Sequence, residues 1–150
     1  MTDNDLYVLY SVLESGSAIG ALIDEKVTNM FIKCLIVGIG GFVGSILRYL
    51  ISLIPINEKY IFPIKTLITN VIGAFVIGLI VALALKKPDI NPKTTLLIKT
   101  GFCGGFTTFS TFALESSDLL GKGQWGIGIT YMILSVVLSV LAVLAAEAIV

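Results

Sequence analysis

Four long hydrophobic runs are the dominant pattern along the chain. They cover residues 31–54, 64–85, 95–120 and 125–150. A helix of 24 residues, rising ~1.5 Å per residue, is about 36 Å long, which is enough to cross a hydrocarbon layer of ~30 Å. The connections between the runs are short and contain the prolines of the chain, Pro55, Pro63, Pro88 and Pro92. Because backbone groups cannot remain unpaired in lipid, the runs predict four transmembrane helices in one bundle.

Residues 1–29 follow a different pattern. They are moderately apolar, but Glu14, Ser15 and Gly16 interrupt the stretch. No basic region precedes the apolar residues, so the stretch is predicted to be neither a clean span nor a signal peptide. Met30 resembles a natural start. We interpret residues 1–29 as an N-terminal extension of unknown role and residues 30–150 as the functional unit.

Composition agrees with a membrane protein. Hydrophobic residues make up 56% of the 150 residues and charged residues only 13%, against ~25% in soluble domains. The mean hydropathy is +0.99. Histidine is absent and both cysteines lie in hydrophobic runs, which argues against zinc sites, Ser-His catalysis and a disulfide framework. The formal net charge is zero, and no nucleic-acid partner is predicted.

The glycine-rich segment GIGGFVG, residues 38–44, has the spacing of a dinucleotide-binding loop only in part. Such a loop follows a strand and opens a helix, whereas this segment lies inside an apolar run. Gly40 and Gly44, and Gly41 and Ser45, are four residues apart and would share helix faces. Small residues at this spacing let membrane helices approach closely, so the segment predicts helix packing rather than nucleotide binding.

Three polar residues lie within the first two runs. Arg48 is near the end of the first run, where it would either extend to the interface or place a fixed positive charge in a vestibule. Thr66 and Asn70 are four residues apart and share a helix face. Asn70 is therefore either an interhelical hydrogen-bonding residue or a donor to something passing through the membrane.

A stripe of hydroxyls is predicted on the fourth helix. Tyr131, Ser135 and Ser139 are spaced four residues apart and would line one face. A single serine in a membrane helix often bonds the carbonyl four residues earlier. Three hydroxyls in register favour a polar track.

The segment GFCGGFTTFSTF, residues 101–112, combines glycines and hydroxyls inside the third run. Gly101, Gly104 and Gly105 each weaken a helix by ~1 kcal/mol relative to Ala, so the third helix is expected to break there. Carbonyls freed around residues 104–107 would be ligands for a hard cation such as Na⁺. Phe109 and Phe112 share a face, and their positive ring edges suit a partly dehydrated anion.

These segments resemble the Fluc (CrcB) family of fluoride channels. The resemblance rests on G-x-G-G-x-x-G-x-x-x-R-Y in residues 38–49, K-T-L-x-x-N-x-x-G in residues 65–73, and above all GFCGGFTTFSTFALE in residues 101–115. It covers residues 30–150. It implies an all-α membrane protein with four transmembrane helices per subunit and a broken third helix. It also implies an antiparallel, dual-topology homodimer that conducts fluoride passively out of the cytoplasm through the plasma membrane and so reduces its toxicity.

The resemblance also implies roles for individual residues. A structural Na⁺ at the dimer interface would be held by backbone carbonyls of Gly104 and Thr107, and Arg48 would lie at a vestibule. The fluoride pore would be lined by Asn70, Phe109, Ser110, Thr111, Phe112, Tyr131, Ser135 and Ser139. Counting Lys residues near the two membrane faces gives a weak orientation bias, which agrees with dual topology.

Other functions remain open at this point. A small dual-topology, proton-coupled exporter would need a carboxylate near the membrane centre, and Glu115, Asp118 and Glu147 are expected in loops or towards the ends of runs. The chain is alternatively one subunit of a heterodimeric fluoride channel. An enzyme is not expected, because Ser110 has no histidine or plausible lysine base nearby in the sequence.

Overall fold

The computed structural model describes the backbone of residues 3–55 and 61–150, and the side chains in these ranges from residue 11 onward except at positions 18 and 21. This part of the chain is helical and contains no strand. Its elements are α1 (Asp3–Ser52), α2 (Ile64–Lys86), α3 (Pro92–Leu96), a π-helix (Leu97–Phe102), α4 (Cys103–Phe106), α5 (Phe109–Gly121) and α6 (Trp125–Ile149). The predicted helical class is confirmed.

Three of the described helices are long and apolar enough to cross a membrane. They are Ser11–Ser52, Ile64–Lys86 and Trp125–Ile149. The last two agree with the predicted second and fourth spans to within one residue. The third predicted span is divided among α3, the π-helix, α4 and α5, so no single helix represents it. The chain is a multi-pass membrane protein.

The structure divides into two compact units. The first ends at Leu35 and the second comprises Ile36–Val150. In the first unit, described side chains such as Leu13, Ile23 and Met30 are exposed. The interpretation of residues 1–29 as an extension stays a prediction.

The core of the second unit forms where α2, α5 and α6 meet. Leu67, Leu119 and Tyr131 are buried there, and Tyr131 is fully inaccessible. Partly buried neighbours pack around them: Phe62, Ile64, Val71, Phe112 and Ile127. Further along, α2 and α6 meet at Gly78, where an added Cβ would lie 3.0 Å from the Cα and carbonyl oxygen of Val143. This close approach holds the two spanning helices together over much of their length.

The glycine-rich segment of α1 packs directly against the third membrane segment. A Cβ on Gly40 would lie 2.8 Å from Phe102 N, and one on Gly44 would lie 2.8 Å from Phe106 N. A Cβ on Gly105 would lie 2.9 Å from the Cα of Gly41. Backbones at this distance leave no room for a side chain, so the packing role predicted for GIGGFVG is confirmed.

The predicted break in the third helix is present, but it lies just after the glycines that were expected to cause it. Gly101 lies inside the π-helix, and Gly104 and Gly105 lie inside α4. The helix instead ends at Phe106 and resumes at Phe109, with Thr107 and Thr108 between them. Gly101 and Gly105 serve close packing: a Cβ on Gly101 would lie 2.8 Å from Val37 O. These two glycines are therefore explained by contact with α1 and not by backbone flexibility.

Candidate ion pathway

The break between α4 and α5 is stabilised by a single side chain from α2. Thr107 and Thr108 are both extended, with ψ of 158° and 113°. The amide oxygen of Asn70 accepts from Thr108 N at 2.8 Å, and Asn70 Nδ2 donates to Thr108 O at 3.1 Å. Asn70 thus supplies the acceptor that the Thr108 amide lacks at the break and adds a second hydrogen bond to the carbonyl with which α5 begins. One N–H of its amide remains available, because the group carries two donors.

Thr108 also caps the following helix. Its hydroxyl oxygen accepts from Thr111 N at 3.2 Å, as an N-cap residue does at the start of a helix. The same hydroxyl donates to Thr111 Oγ1 at 3.0 Å and lies 3.3 Å from Ser110 Oγ. Three hydroxyls are thereby gathered at the N-terminus of α5, where the helix dipole favours negative charge.

Two backbone carbonyls at the break lose their usual helical partners. The Thr108 amide would bond Gly104 O in a continuous helix but donates to Asn70. The Thr111 amide would bond Thr107 O but donates to the Thr108 hydroxyl. Gly105 O, by contrast, accepts from Arg48 Nε at 3.0 Å.

The hydroxyl of Thr107 is already engaged. Its Oγ1 donates to Cys103 O at 2.8 Å, and its backbone amide bonds the same carbonyl at 3.0 Å. The proton of this hydroxyl is therefore not free to bond an anion.

A cavity of about 690 Å³ runs beside the break. Its wall is predominantly apolar, with a few hydroxyl and amide groups. Seven residues predicted for the pore or the ion site lie on it: Asn70, Gly104, Thr107, Phe109, Phe112, Ser135 and Ser139. The structure thus brings together side chains from α2, α5 and α6 that the sequence separates by up to 69 positions.

The two predicted phenylalanines differ in exposure. Phe109 is 80% exposed, whereas Phe112 is half-buried and lies 5.3 Å, centroid to centroid, from Tyr131. The Phe109 and Phe112 rings are 5.5 Å apart and tilted by 44°. Phe109 therefore projects from the subunit surface at the cavity wall.

The hydroxyl of Ser135 is buried at the cavity without a hydrogen-bond partner in the described part of the chain. The residue is only 6% exposed. Its oxygen is inaccessible to solvent, and the Tyr131 hydroxyl, one helical turn earlier, is a polar neighbour.

A second cavity of about 260 Å³ lies on the other side of the break. Arg48, Lys65, Thr66, Thr108 and Thr111 are on its wall. Lys65 Nζ donates to Ser52 O at 2.7 Å, which ties the start of α2 to the end of α1. The positive charge of Arg48 favours anions in this cavity.

Tyr131 and Ser110 do not lie on the wall of either cavity. The Tyr131 hydroxyl donates to Glu115 Oε2 at 2.7 Å, and Thr66 Oγ1 donates to Glu115 Oε1 at 2.8 Å. Glu115 lies at the midpoint of α5. Through these two hydrogen bonds its side chain joins α2 to α6. The expectation that this carboxylate lies in a loop or towards the end of a span stays a prediction; both its oxygens bond side chains of the bundle, and one of these, Thr66, is the third residue of α2.

Sequence reasoning missed the role of Glu115. The signal was a carboxylate inside FALES, within an otherwise apolar run that also has hydroxyls on the neighbouring helices. An ionisable residue within a membrane segment normally has a partner in the bundle.

Comparison with known proteins agrees with this architecture. The profile of the CrcB-like protein family (Camphor Resistance, CrcB) matches residues 35–146. A protein from Azobacteroides pseudotrichonymphae, named fluoride-specific ion channel FluC, is 39% identical over 116 residues, which are 77% of this chain and 93% of that protein. FluC of Chlorobium chlorochromatii is 49% identical over 90 residues, 60% of this chain and 70% of the relative. FluC 1 of Yersinia pseudotuberculosis is 48% identical over 101 residues, which are 66% of this chain and 80% of the relative. This chain belongs to the CrcB family.

Proposed function

We propose that this chain forms a fluoride-selective channel through which fluoride leaves the cytoplasm passively, which reduces its toxicity. The observation that carries the proposal is the larger cavity beside the helix break, where Asn70, Phe112 and Ser135 come together from three different helices. Relatives that match 77% and 60% of the chain are named fluoride-specific ion channels.

The remaining polar groups along the cavities suit a small, strongly hydrated anion. Such an anion loses water only where donors replace it, and the spare N–H of Asn70 and the hydroxyls of Thr111 and Ser139 are donors of that kind on the cavity walls. Ser110 lies beside them at the N-terminus of α5, with its hydroxyl 3.3 Å from that of Thr108. Ring edges of Phe109 and Phe112 add positive potential without competing hydrogen bonds. Tyr131 supports the track through Glu115.

An antiparallel second copy completes the pathway in this proposal, with four membrane-crossing segments in each subunit of a dual-topology dimer in the plasma membrane. Phe109, 80% exposed beside the cavity, would be left against lipid in a single subunit. A partner subunit that covers this face would enclose the cavity. A different homologous partner would do the same, which is the heterodimeric alternative.

A structural Na⁺ fits the residues at the break. Gly104 O and Thr107 O are neutral oxygens released from helical bonding, and neutral or anionic oxygens are the ligands of hard cations. In the described part of the chain, no cluster of three or more acidic, cysteine or histidine side chains offers a metal site. We propose that these carbonyls, with those of a second copy, hold Na⁺, which would stabilise the non-helical backbone.

Replacing Ser135 with alanine tests the observation on which the proposal rests. Ser135→Ala is expected to slow fluoride efflux from liposomes by about 10- to 100-fold, because a hydrogen bond to a charged group contributes roughly 1.5–3 kcal/mol. The measurement is efflux from liposomes containing purified protein, followed with a fluoride electrode.

Ser116→Ala is the matched control. Ser116 is also buried, but its hydroxyl donates to Phe112 O at 2.7 Å within α5, so its loss should leave efflux near the wild-type rate. Equal efflux from Ser135→Ala and wild-type liposomes would remove Ser135 from the pathway.

A further inference from the structure

One charged side chain lies on the wall of the larger cavity. Among the residues that line it, Lys99 alone is ionisable as a cation at neutral pH, and the rest are apolar, hydroxyl, thiol, amide or glycine. Lys99 is exposed and belongs to the π-helix Leu97–Phe102. In the described part of the chain, the side chain of Lys99 forms no hydrogen bond or ion pair.

Lys99 and Arg48 lie at different levels of the bundle. Gly40 of α1 is in contact with the backbone of Leu97, Gly101 and Phe102, so it marks the level of Lys99. Arg48 follows Gly40 by eight residues, which at ~1.5 Å per residue is about 12 Å further along α1. Arg48 lies on the smaller cavity, beyond the helix break. Lys99 therefore lies on the larger cavity, and Arg48 and Lys65 lie on the smaller one.

The placement of Lys99 differs from that of the other lysines nearby. Lys86 and Lys87 end α2, and Lys93 lies in the first turn of α3, all exposed near the connecting loop. Lys99 is seven residues beyond Pro92, about 10 Å deeper into the helical segment. A lysine that only anchored the helix at the membrane surface would not need to lie on the cavity wall.

We propose that Lys99 attracts anions to the end of the pathway opposite Arg48 and thereby sets the rate at which they reach the hydroxyl track. This rests on the proposed fluoride conduction. A fixed positive charge beside a cavity with apolar walls raises the local concentration of anions, and the effect weakens as salt screens it. No carboxylate lies on the wall of this cavity, so none of the residues that line it neutralises the charge of Lys99.

The test compares fluoride efflux of wild-type, Lys99→Gln and Lys99→Arg proteins at about 0.01 M and about 1 M salt, where the Debye length is about 30 Å and about 3 Å. At low salt, Lys99→Gln is expected to be about 3- to 10-fold slower than wild type, at the lower end of electrostatic steering effects. Lys99→Arg should restore the rate. At high salt the three rates should converge.

Lys87→Gln is the matched control, since it removes the same charge from the exposed end of α2 outside the cavity. It should retain the wild-type rate at low salt. A low-salt rate of Lys99→Gln equal to wild type would overturn the proposal, as would a slow rate that is the same at both salts and is not restored by arginine. Absence of fluoride efflux in the wild type would instead overturn the proposed channel function itself, and the role of Lys99 with it.

Discussion

Asn70→Asp is expected to stop fluoride efflux. The substitution keeps the oxygen that accepts from Thr108 N but replaces the amide nitrogen that donates to Thr108 O with a second acceptor. It also adds a negative charge beside the proposed anion path. Two like charges ~4 Å apart repel by about 4 kcal/mol at an effective dielectric constant of ~20, which corresponds to about a thousandfold slower efflux.

Asn91→Asp provides the comparison, because Asn91 uses only its side-chain oxygen, which caps α3 by accepting from Lys93 N at 2.9 Å. It should remain active. Both proteins would be reconstituted after circular dichroism has shown wild-type helix content. Fluoride efflux at the wild-type rate from helical Asn70→Asp protein would mean that Asn70 is purely a structural bridge.

Gly44→Ala is expected to prevent stable folding. The added methyl group would meet the backbone at Phe102 O and would lie 2.8 Å from Phe106 N. Neither atom can move without shifting α4 away from α1. Overpacking typically costs about 1–3 kcal/mol, and a backbone clash on two sides should reach the upper end, about 3 kcal/mol.

Gly38→Ala is the control on the same helix, since nothing lies within 4 Å of the Cβ it would add. Alanine favours a helix by ~1 kcal/mol over glycine, so this variant should be at least as stable as wild type. Thermal unfolding in detergent and recovery from size-exclusion chromatography would compare the two. If Gly44→Ala and Gly38→Ala were equally stable, the close contact of α1 with the third segment would be wrong.

Hydrophobic pattern alone was sufficient to predict most of the helices. The second and fourth runs became α2 and α6 because a run of apolar residues of membrane length has few other stable conformations. The packing of Gly40 and Gly44 was also predictable, since small residues four apart create a flat helix face.

Local helix propensity did not predict the residues at which the third helix breaks. Three glycines suggested a break at residues 101–105, yet Gly101 and Gly105 remain helical because α1 packs against them. The extended residues are Thr107 and Thr108, which Asn70 stabilises from 38 positions away. The partners of Glu115 were not predictable for the same reason: Thr66 and Tyr131 lie on other helices and become neighbours only in the folded bundle.

The most direct test of the central claim is anion efflux from liposomes that contain only this purified protein, measured with fluoride and chloride electrodes and without a pH gradient. The cavities offer small donors and ring edges but no buried cation at the Asn70–Thr108 bridge to hold larger anions. Fluoride should therefore leave completely while chloride stays at the leak rate of protein-free liposomes. Comparable chloride efflux would contradict fluoride selectivity, and a strict requirement for a proton gradient would favour the proton-coupled exporter.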